Sequence, residues 1–334
     1  MTYTVIVPVY GNRDTLPDLV ERLAKLQSSL DAGLEVVFVV DGSPDDSYAV
    51  LRELLDEGHL RGQLITHSRN FGSYAAIRTG LAAARGDYIA IMAADLQEPP
   101  ELAAQFFALL SSGEYDIGVG ARTGRNDPAR SSVMARTFWR GYRRFVMPDI
   151  PNGGVDIFAC TRQVASRLAS MHEANTSMVS QLFWLGFRRV EVPYERQPRP
   201  SGRSHWSFRS KVSYMIDSVF AFTNLPITLL IFIGCLGLIG STLAAAVVVT
   251  AWATGQITVP GYTALMLVVL LMGTALLTGL GVVGSYVWRT YENSKVRPFA
   301  VSRSHEVFTL TDLVAPDQSP VDGAKPLGVP RPDR

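Results

Sequence analysis

The sequence predicts an α/β domain on a mostly parallel sheet, followed by a two-helix membrane hairpin. Three observations carry this. Residues 1 to about 120 alternate short β-branched runs with amphipathic stretches of helical spacing, the pattern of strands joined by crossover helices. Two apolar stretches, 227–253 and 262–288, lie in a window from Ser218 to Trp288 that holds no Asp, Glu, Lys, Arg or His. The polar residues of the first part collect just after the strands, at 8–12, 41–46, 68–72 and 95–100, where open α/β sheets bind ligands.

In chain order, strands are expected at 3–9, 35–40, 63–66, 88–92 and 116–120, each rich in Val, Ile, Tyr or Phe. Helices are expected at 16–30, 46–57, 74–84 and 100–111. Asp14 or Thr15 can cap the first, and Pro99–Pro100 opens the last. The N-terminal run MTYTVIVPVYG lacks a basic region before its apolar residues, so it reads as a strand and not as a signal peptide. In the segment 129–147, Phe138, Tyr142 and Phe145 share one helical face, and Arg136, Arg140, Arg143 and Arg144 the opposite one. Such a helix suits a membrane surface or a place against the sheet with solvated arginines; both readings stay open.

A second amphipathic helix is expected over 206–224, with Val212, Met215, Ile216, Val219 and Phe220 at helical spacing. The hairpin follows over 225–290. Each apolar stretch exceeds the ~20 residues needed to cross a bilayer core. Gly255, Pro260 and Gly261 supply the turn, and Trp252, Tyr262, Tyr286 and Trp288 stand near the ends, as interfacial aromatics do. Gly234, Gly237, Gly240, Gly279, Gly281 and Gly284 allow close helix approach. Arg196, Arg199, Arg203, Arg209 and Lys211 precede the hairpin, Arg289, Lys295 and Arg297 follow it, and the connecting loop has no basic residue. The positive-inside rule therefore puts the 1–205 domain and the 291–334 tail in the cytoplasm, on a multi-pass protein of the plasma membrane. From about 304 onward, Pro, Asp and Ser without periodicity suggest a disordered tail.

Composition agrees. Of 334 residues, 47% are hydrophobic and only 18% charged, below the ~25% of ordinary soluble domains. A net charge of +1 argues against a nucleic-acid partner, which calls for a basic surface. Two distant cysteines, Cys160 and Cys235, exclude a disulfide scaffold or a Cys-rich metal site.

Several residues can do chemistry. Asp41 ends a fully apolar strand before Gly-Ser-Pro; its carboxylate can accept hydrogen bonds from a nucleoside or cap the next helix, a task for which Asp45 and Ser43 are better placed. Asp95 ends another apolar strand and leads into LQEPPE. With Gln97 and Glu98 beside it, it can hold Mg2+ or Mn2+, which prefer oxygen ligands, or cap the helix after Pro99–Pro100. Asp156, in NGGVDIF, can touch a sugar, a metal or nothing. From Arg196 to Lys211 no acid intervenes; this Pro-, Gly- and Ser-containing basic run suits anionic headgroups or closure over phosphates.

Together the runs IVPVYGN, VVFVVDGSPDDS, HSRNFGSYAAIRTGL, ARGDYIAIMAADLQEPPEL, GGVDIF and VPYERQPRPSGRSHW, with the hairpin behind them, resemble glycosyltransferase family 2. More narrowly they resemble the polyprenyl-phosphate glycosyltransferases, the group of dolichyl-phosphate mannose synthase and GtrB- and ArnC-like bacterial enzymes. The resemblance implies a GT-A fold, that is, a Rossmann-like mixed sheet. It implies inverting transfer of a sugar from a nucleotide sugar, expected to be UDP-linked, to a polyprenyl phosphate in the bilayer, expected to be undecaprenyl phosphate. Pro8, Tyr10 and Asp41 would bind the nucleoside, with Ala93, Ala94 and Arg122 along the nucleotide sugar. Asp95 and Gln97 would ligate the metal, and Asp95 with Asp156 would form the catalytic pair. Arg199, Arg203, His205 and Lys211 would face the acceptor phosphate. Assembly of copies through the hairpin is open. The chain departs from the pattern at Ala93, where the family often has a first motif carboxylate, around Gly11–Asn12, where an acidic residue is usual, and at His205, where a Lys is usual. The Ala93 departure motivates an alternative, an inactive membrane-tethered sugar-nucleotide-binding scaffold. Two spans and no Gln-x-x-Arg-Trp run argue against a processive polysaccharide synthase.

Overall fold

The computed structural model describes residues 1–122 (except 31 and 59), 143, 149–151, 155, 157–173, 176–197, scattered positions between 216 and 254, and 261–309 except 296. Its order is β1 (Tyr3–Val9), α1 (Leu16–Ser29), β2 (Leu34–Val40), α2 (Ser47–Asp56), β3 (Gly62–His67), α3 (Ser73–Ala83), β4 (Tyr88–Ile91), α4 (Glu101–Ser111) and β5 (Ile117–Arg122). There follow β6 (Phe158–Thr161), α5 (Arg162–Ser170), α6 (Met178–Trp184), β7 (Arg189–Tyr194), α7 (Tyr262–Ser294) and β8 (Ser302–Phe308). The nine elements expected before residue 120 are all present, with ends moved by one or two residues.

Eight strands form one sheet in the order β7-β5-β6-β4-β1-β2-β3-β8. β1 pairs parallel with β2 and β4, β2 with β3, and β5 with β7; β6 and β8 run antiparallel to their neighbours. Residues alternate between two cores because strand side chains alternate faces. Val5, Val7 and Phe38 pack with Leu16, Leu23, Leu51 and Phe106 on one face; Ile6, Val37 and Val39 pack with Ile77, Val164 and Leu182 on the other. β2 is buried at all seven positions, as a central parallel strand covered on both faces must be.

From β1 the chain steps outward through β2 and β3, then returns to place β4 on the other side of β1. That reversal puts the topological switch point between the carboxyl ends of β1 and β4, the usual ligand position in such sheets.

Two expectations are corrected. Residues 302–308 do not belong to a structureless tail; they form β8, antiparallel to β3 with Ser302 opposite His67 and Phe308 opposite Gly62. The edge is held by side chains as well: Tyr48 Oη donates to Glu306 at 2.5 Å, Arg52 Nε to Glu306 at 3.1 Å, and the Thr66 and Ser304 hydroxyls meet at 2.6 Å. Thr15 takes the N-cap position of α1 without a side-chain cap bond; its hydroxyl donates to the Ala94 carbonyl at 2.7 Å instead.

The expected helix at 129–147 apart from Arg143, the Arg199–Lys211 run and most of the first apolar stretch lie outside the described residues. Among the described residues no helix is long and apolar enough to cross a membrane. α7 has 33 residues, about 50 Å at 1.5 Å each, although the side chains of many positions in its first half are not described.

Candidate active site

The carboxyl ends of β1 to β5 and β7 all lie along one edge of the sheet, and the loops there are stitched together. After β1, Gly11 N donates to Ser43 Oγ at 2.8 Å and Arg13 N to Asp45 at 3.1 Å. Burial pushes the Asp45 carboxyl up, but the Ser43 and Ser47 hydroxyls with the Arg13 and Ser47 amides outweigh it and hold it below the ordinary carboxylate range. Pro8, opposite Val39, is the last residue but one of β1, and Tyr10 stands exposed just beyond the strand.

After β4 comes Ala93-Ala94-Asp95-Leu96-Gln97-Glu98. Leu96 is buried and has φ 59°, a left-handed conformation that L residues other than Gly, Asn and Asp seldom adopt. Strain of this kind concentrates at functional sites. It turns the chain so that Gln97 N donates to Asp95 Oδ1 at 3.2 Å. Glu98 is 3% exposed and its Oε2 has no hydrogen-bond partner. Burial, then the Asp95 charge, raise the Glu98 carboxyl to about 7, against the pull of Arg196 and Arg122. Arg122 ends β5; burial, then the Arg196 charge, lower its pKa, while Tyr194 and Glu98 act oppositely.

The segment after β7 closes on this loop. Arg196 Nη2 donates to Gln97 Oε1 at 2.5 Å, Gln197 N to the Gln97 carbonyl at 2.9 Å, and Gln97 Nε2 to the Gln197 carbonyl at 3.2 Å. The donors at this tip suit a hard divalent cation in kind: carboxylates of Asp95 and Glu98, one of them with a buried oxygen lacking a partner, and the amide oxygen of Gln97. Among the described residues no three His, Cys, Asp or Glu side chains converge as a metal cluster.

This edge belongs to a part of the chain with known relatives. Residues 4–170 match the model of the family described as glycosyl transferase family 2. The chain belongs to that family. An uncharacterized glycosyltransferase, sll0501, of Synechocystis sp. is 30% identical over 298 residues, covering 88% of this chain and 92% of the relative. An undecaprenyl-phosphate 4-deoxy-4-formamido-L-arabinose transferase of Klebsiella pneumoniae is 29% identical over 297 residues, covering 88% and 90%. The mannosyltransferase PcManGT of Pyrobaculum calidifontis, solved with GDP-Man and Mn2+, has a TM-score of 0.44 at 18% identity over 77% of this chain and 81% of its own. The protein is a glycosyltransferase.

Within this family 2 glycosyltransferase, Pro8, Tyr10, Ala93, Ala94, Asp95, Gln97 and Arg122 lie at or just beyond the carboxyl ends of β1, β4 and β5. Asp156, Arg199, Arg203, His205 and Lys211 lie outside the described residues. Asp41, expected at the nucleoside, follows β2 at the same edge, with its carboxylate 3% exposed. Oδ1 accepts from Phe71 N at 2.9 Å and from His67 Nδ1 at 2.8 Å, and Oδ2 accepts from Gly72 N at 2.7 Å. Asp41 does not cap α2; Asp45 accepts from Ser47 N at 3.2 Å and from the Ser47 hydroxyl at 2.6 Å.

Sequence reasoning saw Arg196 only as one charge in a basic run, and took no notice of His67. Nothing local pairs Arg196 with a residue 99 positions earlier. The run HSRNFG does hint at a loop of importance, through its Gly and its cluster of polar residues after a strand.

Proposed function

We propose that this glycosyltransferase passes a sugar from a nucleoside diphosphate to a polyprenyl phosphate at the cytoplasmic face of a membrane. One observation carries the reading: both chain connections between the sheet and the apolar segment run from the site-bearing edge. β7 ends there at Tyr194, and β8 begins there at Ser302, opposite His67. Leu265, Val268, Val269, Met272, Leu276, Leu280, Val283 and Val287 of α7 are each more than half exposed. An apolar surface of that extent is untenable in water, and a membrane hairpin at about 227–253 and 262–288 accounts for it. At its base Arg289 pairs with Asp217 at 2.7 Å and lies over Phe220, which supports a juxtamembrane helix packed against α7. Lys295 lies over the exposed Tyr291 and Trp288, a grouping suited to a headgroup layer. The Klebsiella relative is named for undecaprenyl phosphate, which supports that acceptor here, and UDP remains the expected carrier.

A phosphate monoester is already anionic near neutral pH, its second pKa being about 6, so the attacking oxygen needs little help from a base. That oxygen bonds to the anomeric carbon as the bond to the donor's diphosphate breaks, and the nucleoside diphosphate leaves with the electron pair. In-line attack inverts the anomeric centre. Asp95, with Gln97 and Glu98, would hold Mg2+ or Mn2+, which offsets diphosphate charge when bound. Pro8, Tyr10, Ala93, Ala94 and Arg122 line the donor. Arg199, Arg203, His205 and Lys211 screen the acceptor phosphate, and Asp156 orients the reactants. Holding two anions in line supplies much of the remaining acceleration.

The test is a panel of UDP- and GDP-sugars offered with undecaprenyl phosphate to the purified full chain, scored for lipid-linked sugar. Product formation with one donor is expected. Nucleotide binding without any lipid-linked product would return the protein to the role of a tethered scaffold.

A further inference from the structure

We propose that Phe299, packed against the Arg78 guanidinium and the His172 ring, is a positioning residue. It fixes the end of the apolar helix α7 to the catalytic sheet and so holds the site at the height of a lipid-borne acceptor. The inference deepens the proposed transfer to a polyprenyl phosphate and rests on that reading.

Phe299 follows α7 closely. The helix ends at Ser294, and only residues 295–298 separate it from Phe299, a span of at most about 17 Å of extended chain. Beyond Phe299 the chain is tied to β3 at once. Ser68 N donates to the Val301 carbonyl at 2.9 Å, and Ser302 stands opposite His67. The short segment thus has the apolar helix at one end and the edge of the sheet at the other. What it touches in between decides whether the join hinges or stays fixed.

The seat for Phe299 belongs to the catalytic domain. Arg78 lies in α3 and is 6% exposed. Its guanidinium donates to the Met171 carbonyl, just past α5, and to Gln181 Oε1 of α6 at 2.5 Å. Gln181 Nε2 in turn donates to Glu173 at 2.9 Å. A buried guanidinium needs such partners, and these tie α3 to the end of α5 and to α6. The Phe299 ring centre lies 4.1 Å from the guanidinium carbon, and a cation–aromatic contact strengthens where water is excluded. The His172 ring lies 6.0 Å from the Phe299 ring and 9° from parallel with it. A phenyl ring brings no donor, acceptor or charge, so what it supplies here is position.

A second attachment lies on the same side of the sheet. Val219 packs against the core that holds Ile77, Val164 and Leu182. Two residues earlier Asp217 pairs with Arg289 of α7 at 2.7 Å, and the Phe220 ring lies 5.4 Å from that of Tyr286. The helix is therefore held near its end through the residues around Val219, and again beyond its last residue by Phe299. One contact alone lets a domain pivot, whereas two fix its direction. The phosphate of a membrane lipid stays at headgroup depth, so the site must be kept there to meet it. Loosening the join spreads the site over a larger volume and lowers the effective concentration of acceptor.

The test uses the full chain in vesicles of phosphatidylethanolamine and phosphatidylglycerol that carry undecaprenyl phosphate, with the nucleotide sugar that the wild type accepts. Phe299→Ala is expected to raise the acceptor KM about fivefold while the donor KM holds. Phe299→Tyr, which keeps the ring, is expected to match the wild type. An insertion of Gly-Gly-Ser between Arg297 and Pro298 separates position from stability. It leaves Phe299 free to keep its seat and the melting temperature unchanged, yet lengthens the join, and it is expected to raise the acceptor KM as Phe299→Ala does. A contact that only stabilises the fold would give the reverse: a lower melting temperature in Phe299→Ala, donor and acceptor KM moving together, and no effect of the insertion. That result would overturn the inference. If Phe299→Ala does not fold, Phe299→Leu, which keeps the bulk and loses the ring, takes its place beside the insertion. Absence of lipid-linked product from the wild type would overturn the acceptor reading and the inference with it; product from the wild type beside an unchanged acceptor KM in the insertion variant overturns only the role given to Phe299.

Discussion

Nη2 of Arg196 lies 2.5 Å from Oε1 of Gln97, so the root of the basic segment is fastened to the loop proposed to carry the cation. The guanidinium occupies the amide oxygen that a cation would use. Arg196→Ala should therefore raise the affinity for Mn2+ alone, by about threefold or more given the strength of a charge-assisted bond, and lower turnover. Calorimetric titration with Mn2+ reads the first effect. Unchanged affinity would show that the Gln97 oxygen is not part of the cation's shell.

Asp95 is the carboxylate at the tip of β4 with the strained Leu96 behind it. Asp95→Asn is expected to reduce transfer by about a hundredfold or more while leaving membrane insertion and thermal stability intact. A purified variant that keeps most of its turnover would remove Asp95 from the metal role.

β8 closes an edge that would otherwise present the unpaired backbone of β3. Glu306 binds both Tyr48 and Arg52, and losing it should cost about 1–2 kcal/mol, read as a lower melting temperature of Glu306→Ala. Truncation after residue 301 should be worse, since an uncovered edge strand pairs with other chains; light scattering of the truncated protein should show aggregation. A monodisperse truncated protein with an unchanged melting temperature would contradict the strand's role.

The exposed face of α7 makes a sharp prediction for insertion. Val268→Arg places a charge among apolar residues, at a cost below the ~2.5–3.5 kcal/mol it would carry at a helix centre. It should shift the protein from the membrane pellet to the alkaline-extractable fraction, whereas Val268→Leu should not. Equal retention of both variants would argue against a span there.

At the opposite edge of the sheet, Arg188 donates to Asp116 through Nε at 2.9 Å and Nη2 at 3.0 Å, tying the start of β5 to that of β7. The Arg188 hydrogen bonds hold the Asp116 carboxyl below its usual range, against the opposite effect of burial. A depressed carboxyl stabilises the fold above its unfolded pKa of about 3.9, and that stability is lost as pH falls through the folded value. Asp116→Asn should therefore melt lower than wild type at pH 7, and the gap should narrow at pH 3. A gap independent of pH would assign the effect to packing.

Much of the fold was legible because it rests on local periodicity. Near-continuous apolar runs in β1 and β2, helical spacing in α1, α2 and α4, and a charge-free window of 71 residues from Ser218 to Trp288 each report their environment without reference to distant chain. The carboxyl-end loops were legible for the same reason: polar residues directly after buried strands have few places to go. What the tertiary structure alone decided are partner choices across long separations. A weakly periodic run at 302–308 becomes a strand because the open edge of β3 receives it. Asp41 turns inward because the loop after β3 brings two amides and a histidine to it. Arg196 reaches Gln97 because β7 ends beside β5, with β6 and then β4 next across the sheet. Such pairings depend on strand order, and strand order leaves no trace in the hydrophobic pattern of any one segment.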